Sequence, residues 1–339
     1  GRDMKLSIDL RLQYLTYRAL KEAVARARAA GGSAVLLDAW TGEVLAMAAQ
    51  PAFNPNDMST RVPDRVRNRA MLDLIEPGSP IKTFTIATAL DLGLVEPGQV
   101  IDTAPGRIRV QGNVINDIRN YGELDVAAIV AKSSNVGTVK IEQMMESTAL
   151  RDRLALLGLG QSTGTGFPGE AEGRLPNTAI LGDMDRAALS FGYGLQVSVL
   201  QLAQAYSVFA NDGVLQPVTL LAEGLTPRPT RVFSSETVRH VLPMLEAVTV
   251  EGGTATQAQI PMYRVGGKTG TTMKLVSGSY ASQQYVSSFV GLAPMSNPRF
   301  VMAVVIDDPR SQQYFGGQVA APVFADVMDD VMRIYDIAP

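Results

Sequence analysis

The sequence predicts an α+β protein, in which an antiparallel sheet flanked by N- and C-terminal helices carries an inserted all-α lobe. Strand-like patterns occur near both ends of the chain, in residues 32–51 and after residue 262, whereas residues 69–250 are mostly helical in pattern. Amphipathic helical patterns also begin and end the chain. We therefore expect the two ends to pair into one sheet that the first and last helices cover.

The N-terminal elements are set by local signals. Residues 5–30 read as a short strand that runs into a long amphipathic helix, with Asp9 as its N-cap and Gly31-Gly32 as its end. Residues 32–51 read as a β-hairpin around a Trp-Thr-Gly turn. Residues 51–68 are rich in Pro, Asn and Asp, which predicts a loop.

The remaining elements follow from periodicity. The clearest helices of the middle segment are predicted at residues 80–92, 124–145, 184–211 and 235–249. Three strands follow, in "YRVGGKTGTT", "YVSSFVGLAP" and "RFVMAVVIDDP", and a final helix has apolar residues at positions 319, 323, 324, 327, 328, 331 and 332.

We expect a single domain over residues 1–339. Its β-rich lobe would comprise residues 1–60 and 255–339, and its helical lobe residues 61–254. An interface between two such lobes is a common place for a binding site.

Composition excludes several classes of function. The 339 residues are 46% apolar and 19% charged, with a formal net charge of −3 and no run of like charges, so no nucleic-acid partner is expected. The absence of cysteine excludes thiol catalysis and disulfides, and the single histidine, His240, cannot form a multi-histidine metal site. No segment approaches 18 consecutive apolar residues. Neither a metal nor an organic cofactor is implied.

The stretch "EPGSPIKTF" places Ser79 and Lys82 one helical turn apart, behind a Pro-Gly turn. In one interpretation Ser79 only caps the helix that Pro80 begins. In the other, apolar neighbours bury Lys82 and disfavour its charged form, so that a neutral amine can take the proton of the Ser79 hydroxyl. A cation in the first turn of a helix is also unfavourable to the helix dipole, which indicates a functional role.

Two further elements complete a known catalytic set. S-x-x-K occurs together with S-x-N and K-T-G elements in serine acyltransferases. "KSSNVG" supplies Ser133 and Asn135, and "GGKTGTT" supplies Lys268, in the same order along the chain. Each element alone is weak, but three in order favour nucleophilic catalysis by Ser79.

With these motifs the chain resembles the penicillin-binding proteins, most closely the class B, division-associated transpeptidases of the penicillin-binding protein 3 type. "GSAVLLDAWTGEVLAMA", "KSSNVG", "FGYGLQVSVLQLA", "GKTGTT" and "YFGGQVAAPVF" carry the resemblance, which covers nearly the whole chain. It implies the penicillin-binding fold and the isolated transpeptidase domain. It also implies that a membrane anchor and a pedestal domain are absent from this chain, which begins with glycine rather than methionine.

The resemblance implies a role for each motif residue. Ser79 would attack the D-Ala-D-Ala carbonyl of a peptidoglycan stem peptide, with Lys82 as general base. Ser133, helped by Lys268, would relay a proton to the leaving amine.

The remaining roles concern substrate binding. Asn135 would bind substrate amides and hold Lys82. The backbone N–H groups of Ser79 and Thr271 would form the oxyanion hole. Thr269 and Thr271 would bind the substrate carboxylate, and Gly270 would let the substrate strand lie close to the Lys-Thr-Gly strand.

The same resemblance implies an aromatic wall and a set of partners. The wall would be formed by Tyr193, Tyr285, Tyr314 and Phe315. β-Lactam antibiotics would acylate Ser79 without easy release. The full-length protein would act in septal cell-wall synthesis at the periplasmic face of the inner membrane, with a membrane glycosyltransferase and divisome proteins as partners.

One departure from the family pattern is Pro80, where threonine is common; proline removes a backbone donor and stiffens the turn. Three rival functions stay open at this stage: a D,D-carboxypeptidase, a serine β-lactamase and a non-catalytic β-lactam sensor. A lactamase needs a positioned base to activate water, and four carboxylates between the second and third motifs could supply it: Glu142, Glu146, Glu170 and Glu172.

Overall fold

The computed structural model describes residues 3–177, 181–222, 228–276 and 278–338. In chain order the elements are α1 (Leu10–Arg26), β1 (Gly31–Asp38), β2 (Val44–Gln50), α2 (Pro63–Val66), α3 (Arg69–Leu72), α4 (Pro80–Asp91), β3 (Val100–Asp102), β4 (Arg107–Val110), β5 (Asn113–Asn116), β6 (Glu123–Asp125), α5 (Val126–Lys132), α6 (Asn135–Glu142), α7 (Ala149–Leu156), α8 (Asp183–Ser190), α9 (Val199–Ser207), β7 (Val214–Leu215), β8 (Thr230–Arg231), α10 (Ser235–Ala247), β9 (Gly266–Val276), β10 (Ser279–Ala293), β11 (Phe300–Asp307), α11 (Gly316–Val319) and α12 (Ala321–Ile334).

The main sheet has five antiparallel strands in the order β2-β1-β11-β10-β9. The two ends of the chain meet at its centre, where Ala34 of β1 lies opposite Val304 of β11. This pairing confirms the predicted α+β fold. Strand β9, which carries the Lys-Thr-Gly motif, lies at the edge of the sheet, so one side of its backbone has no strand partner among the described residues.

Helices cover both faces of the sheet. Helices α1 and α12 pack against each other and against one face, while α3 and α9 pack against the other. The predicted apolar positions of the last helix are buried: Val323, Phe324, Val327, Met328, Val331 and Met332 are each no more than 1% exposed. The sheet is therefore the central layer of three.

Helix α4, which follows Ser79, is surrounded by the other helices of the middle segment. It contacts α5, α6, α7, α8 and α10, and it also reaches β9. Residues 80–89 are all buried, so neighbouring elements enclose α4 around its whole circumference, although it contains Lys82 and three threonines. This burial holds the N-terminus of α4 rigidly against the edge of the sheet.

Two predicted helices are each divided into two. The segment predicted at 124–145 forms α5 and α6, because Ser133 takes a left-handed backbone conformation with φ of 60°. The segment predicted at 184–211 forms α8 and α9, separated by residues 191–198, in which Gly192 also has a positive φ. Both breaks fall at the cavity described below, where the chain must turn to bring side chains together.

Smaller predictions at the N-terminus were also wrong. Helix α1 has the predicted Asp9 cap, but it ends at Arg26, and Gly31 and Gly32 are the first residues of β1. The expected strand before α1 is only a bridge between Leu6 and Leu221.

The middle segment also contains short strands that its pattern did not indicate. They pair as β3 with β6 and β4 with β5. The division into two lobes at residues 60 and 255 stays a prediction. Among the described residues, no helix has the length and apolar character needed to cross a membrane.

A buried carboxylate at the end of β1 forms an ion pair with the residue that precedes β11. Asp38, at the end of β1, is 2% exposed, and its carboxylate accepts hydrogen bonds from two backbone N–H groups. The carboxylate also forms an ion pair of 2.7 Å with Arg299. The guanidinium of Arg299 also lies over the rings of Trp40 and Tyr335. Removing the cation would leave the Asp38 carboxylate buried without its charge partner.

We expect Arg299→Ala to lower the free energy of unfolding by about 2 to 4 kcal/mol, because a buried carboxylate loses its partner. The matched control is Arg333→Ala. The Arg333 side chain is 65% exposed, so its ion pairs with Asp329 and Asp330 should contribute less than about 1 kcal/mol to stability. Urea unfolding of both variants measures the difference. Equal losses in the two variants would show that the Asp38 pair is no stronger than a surface pair.

Candidate active site

Ser79 lies at the N-terminus of α4, with Pro80 at the first helical position. Its backbone is already helical, and its side chain makes no capping hydrogen bond. The structure therefore does not support the interpretation that Ser79 serves only as a cap. The side chain instead lines a cavity of about 650 Å³ between the helical segment and the edge strand β9.

Two glycines allow the turn before α4 to lie close to its neighbours. A Cβ on Gly270 would overlap Ser288 Oγ and lie 2.8 Å from Pro77 O. A Cβ on Gly192, which has φ of 91°, would overlap the backbone of Gly78. The resemblance implies that Gly270 lets a substrate strand lie close, which stays a prediction; the structure shows that contact with the residues just before Ser79 also requires a glycine here.

Lys82 is directed away from solvent toward the second motif. It is 1% exposed, and its Nζ donates to Ser133 O at 2.6 Å and to Ser133 Oγ at 3.1 Å. Burial lowers the pKa of Lys82 to about 7, although the negative charge of Asp117 raises it in part. A large share of this amine is neutral at physiological pH and can accept a proton.

The second motif is held by a carboxylate that the sequence pattern did not identify. Asp117 follows β5 and accepts hydrogen bonds from Ser134 Oγ at 2.6 Å, from Val136 N at 3.1 Å and from Asn135 N. Charge-assisted hydrogen bonds of this kind are strong, so Asp117 fixes the start of α6. No spacing rule marks this residue, because its partners lie 17 to 19 positions further along the chain.

Asn135 has a different partner from the one expected. Its Nδ2 donates to Asn116 O at 2.8 Å, and Lys82 is held by Ser133 rather than by Asn135. Asn135 lines the cavity next to Ser133, so a contact between Asn135 and a substrate amide stays a prediction.

Lys268 is buried inside the third motif. Its side chain is 0% exposed, and burial together with the charge of Lys82 lowers its pKa well below the ordinary value. Burial therefore disfavours the charged form of both lysines, and the charge of Lys82 further disfavours that of Lys268.

The threonines of the third motif are already hydrogen-bonded within the protein. The hydroxyls of Thr254 and Thr269 lie 2.8 Å apart, and Thr271 Oγ1 accepts from Gly316 N at 3.0 Å. Both motif threonines line the cavity along the free edge of β9. Their predicted contact with a substrate carboxylate, and the oxyanion hole formed by the backbone of Ser79 and Thr271, stay predictions.

Aromatic side chains form one wall of the cavity. The rings of Tyr285 and Tyr314 stack at 4.4 Å, and Phe315 stacks on Tyr314 at 4.5 Å. Tyr193 lines the cavity as well, with its ring 5.8 Å from that of Tyr280. The structure also brings in residues that the sequence did not single out: Ile118, Phe191, Thr254, Thr256, Gln257, Gly317 and Gln318.

The lowered pKa of Lys82 predicts a pH-dependent stability. Its pKa is about 7 in the folded state and about 10.4 in the unfolded chain, so unfolding takes up a proton between these values and stability rises with pH there. Lys82→Met should therefore stabilise the protein at pH 7. This advantage should shrink by roughly 1.4 kcal/mol per pH unit at most as the pH rises toward 10.

Urea unfolding between pH 6 and pH 10 measures this dependence. The matched control is Lys140→Met, because the Lys140 ammonium lies at the surface, where it donates to Asp102 O. A stability difference for Lys82→Met that does not change with pH would contradict a neutral Lys82.

Known proteins resemble the chain along its whole length. A family model described as "Penicillin binding protein transpeptidase domain" matches residues 32–329. The probable peptidoglycan D,D-transpeptidase PenA of Neisseria flavescens is 43% identical over 339 residues, which cover 100% of this chain and 84% of that protein. The peptidoglycan D,D-transpeptidase FtsI of Escherichia coli K12 is 42% identical over 337 residues, which cover 99% of this chain but only 57% of that protein.

Solved structures give the same result. The apo structure of the TP domain of Burkholderia pseudomallei penicillin-binding protein 3 has a TM-score of 0.91 and 42% identity, and covers 100% of this chain and 98% of that one. A structure described as a peptidoglycan glycosyltransferase from Burkholderia ambifaria has a TM-score of 0.87 and 41% identity, with 98% of each chain covered. The resemblance inferred from the motifs is confirmed: the chain belongs to the family of penicillin-binding protein transpeptidase domains.

Proposed function

We propose that this chain is the D,D-transpeptidase domain of a septal cell-wall enzyme, which cross-links peptidoglycan stem peptides through an acyl-enzyme on Ser79. The observation that carries the proposal is Lys82, a buried amine with a pKa of about 7 one helical turn from a serine that opens into a cavity. The family membership of the chain supports the same activity.

The first half-reaction forms the acyl-enzyme. Ser79 Oγ attacks the carbonyl between the two D-alanines, and neutral Lys82 takes the Ser79 proton. The C–N bond to the terminal D-alanine then breaks, and the leaving amine receives a proton from Ser133. The Lys82–Ser133 hydrogen bond of 3.1 Å provides the path by which the proton moves from one side chain to the other.

The free edge of β9 suits an extended peptide. A strand at the edge of a sheet can pair with a substrate backbone, while adjacent pockets receive its side chains. Thr269 and Thr271 lie along this edge in the cavity. The oxyanion would lie between the backbone N–H groups of Ser79 and Thr271. These two groups are held in place because Gly270 of β9 packs directly against Pro77, just before Ser79.

The second half-reaction transfers the acyl group to the amine of another stem peptide. β-Lactams would inhibit the enzyme by the same reaction, because Ser79 would attack their carbonyl group and the resulting acyl group would stay on Ser79. We place the enzyme at the periplasmic face of the inner membrane, where its substrate is found, with a membrane glycosyltransferase and divisome proteins as partners. The relatives PenA and FtsI, named as peptidoglycan D,D-transpeptidases, support a role in cell-wall synthesis.

The structure does not favour hydrolysis of the acyl-enzyme. None of the four glutamates considered from the sequence lines the cavity. Glu142 is buried in an ion pair of 2.9 Å with Arg186, and Glu170 accepts hydrogen bonds from Thr163 and Thr165. A β-lactamase needs a base positioned beside the acyl group, and these two carboxylates are already engaged elsewhere.

We expect a penicillin to form one stable adduct with the protein, because Ser79 is acylated and the described residues that line the cavity include no carboxylate to activate water. Intact mass spectrometry over several hours should show a mass increase of one drug molecule, absent in Ser79→Ala. A transient adduct with steady drug consumption would favour a β-lactamase instead. A stable adduct without turnover of a D-alanyl thioester would favour a sensor, and turnover by hydrolysis alone would favour a carboxypeptidase.

Asp117 should act as a positioning residue for Lys82 and Ser133. Asp117→Asn keeps the shape of the side chain but removes its charge, so we expect acylation by penicillin to slow about tenfold or more. The inflection of the pH–rate profile should also fall below that of the parent, because the Asp117 charge raises the pKa of Lys82.

The matched control is Asp125→Asn, since Asp125 caps α5 by accepting from Ala128 N and has no contact with the second motif. Its acylation rate and its pH profile should equal those of the parent. An unchanged pH profile in Asp117→Asn would remove the proposed role of Asp117.

A further inference from the structure

One side of the Ser79 cavity is formed by a short segment that lies across the sheet without being one of its strands. The segment comprises Tyr314, Phe315 and Gly316, where the connection from β11 reaches α11, and we call it the wall segment. All three residues line the cavity. The position of the wall segment therefore sets the shape of the cavity on this side.

Three side chains on one face of the sheet support the wall segment. Thr271 of β9 lies directly opposite Ser287 of β10, and directly opposite residues of two antiparallel strands share a face. Tyr285 precedes Ser287 by two residues, and residues two apart in a strand also point to the same face. Tyr285, Ser287 and Thr271 thus form one platform.

Each platform residue contacts the wall segment. The Ser287 hydroxyl donates to Tyr314 O, and Gly316 N donates to Thr271 Oγ1 at 3.0 Å. The ring of Tyr285 stacks on that of Tyr314, with the ring centroids 4.4 Å apart. The backbone of the wall segment is therefore tied to both strands by hydrogen bonds from or to their side chains.

Ser287 differs from the other two platform residues because it does not line the cavity. Thr271 and Tyr285 both line it, whereas the Ser287 side chain is 0% exposed. A side chain with no exposed surface cannot contact a ligand in the cavity. The hydroxyl of Ser287 can therefore affect a ligand only through the residues that it holds in place.

We propose that Ser287 is a positioning residue for ligand binding, because its hydrogen bond to Tyr314 O holds the wall segment where its rings can contact a bound stem peptide or β-lactam. The inference rests on the proposed transpeptidase function, which supplies these ligands. Gly316 supports it, since a Cβ there would overlap the backbone oxygens of Ser288 and Gly270. The wall segment is packed directly on the strands, so a shift of its backbone changes the cavity that it lines.

The test separates the binding of a ligand from the chemical step. The rate of acylation at increasing concentrations of benzylpenicillin gives two quantities, the dissociation constant of the non-covalent complex and the rate constant of the acylation that follows. We expect the wall segment to affect only the dissociation constant, because the reacting side chains of Ser79, Lys82 and Ser133 belong to other segments. A general loosening of the site would lower the rate constant as well.

We expect Ser287→Ala to raise the dissociation constant about threefold to tenfold, as the loss of one hydrogen bond predicts, and to leave the rate constant at the parent value. The matched control is Ser33→Ala. Ser33 is a buried serine of β1 in the same sheet, and it does not line the Ser79 cavity, so both quantities should equal those of the parent. An unchanged dissociation constant in Ser287→Ala would overturn the assignment.

A double-mutant cycle with Tyr314→Ala tests the route of the effect. Tyr314→Ala removes the ring that the Ser287 hydrogen bond holds in place. Ser287→Ala should therefore raise the dissociation constant less in the Tyr314→Ala background than in the parent, because both changes act through the same segment. Equal effects in the two backgrounds would show that Ser287 does not act through the wall segment.

Hydrogen–deuterium exchange gives a readout that does not depend on activity. In Ser287→Ala, the amides of residues 312–317 should exchange faster than in the parent, whereas those of α4 should be unchanged. Faster exchange in both regions would indicate a general loss of stability and would contradict a positioning role. Failure of the parent to form any acyl-enzyme would overturn the proposed function itself, whereas normal acylation with unchanged exchange in residues 312–317 overturns this inference alone.

Discussion

The burial of Lys82 is the constraint on which the site depends. An ammonium group removed from water loses solvation that a protein rarely replaces, so the amine becomes easier to deprotonate. Here residues 80–89 of the surrounding helix are all buried, and in the described part of the chain the charge of Asp117 offsets the shift in part. The burial of α4 among the other helices of the middle segment therefore leaves a largely neutral amine, the base that we propose for Ser79.

The rest of the architecture brings three distant segments to this amine. The absence of a side chain at Gly270 lets the turn before α4 pack directly against β9. Ser133, between α5 and α6, has a left-handed backbone conformation, and its side chain contacts Lys82. The sheet order places β9 at an edge, where its backbone is available to a substrate. The burial of two lysines lowers the free energy of unfolding, and the large apolar core around them offsets this loss.

Much of this could be predicted from sequence. Period-two and period-3.6 patterns located the hairpin β1–β2, the strands β9 to β11 and the outer helices, because local burial determines those patterns. The three motifs identified Ser79, Lys82, Ser133 and Lys268, which the structure brings together. Long-range contacts could not be predicted: Asp117, the breaks in two helices and the packing role of Gly270 depend on partners far away in the chain, for which no local pattern exists.

The most direct test of the central claim is the pH dependence of acylation of Ser79 by a penicillin, measured for the parent, Lys82→Ala and His240→Ala. His240 lies in α10 and does not line the cavity. We expect the rate to rise through an inflection near the Lys82 pKa of about 7, to be unaffected by His240→Ala and to be abolished by Lys82→Ala. Loss of acylation in His240→Ala with normal acylation in Lys82→Ala would contradict the account.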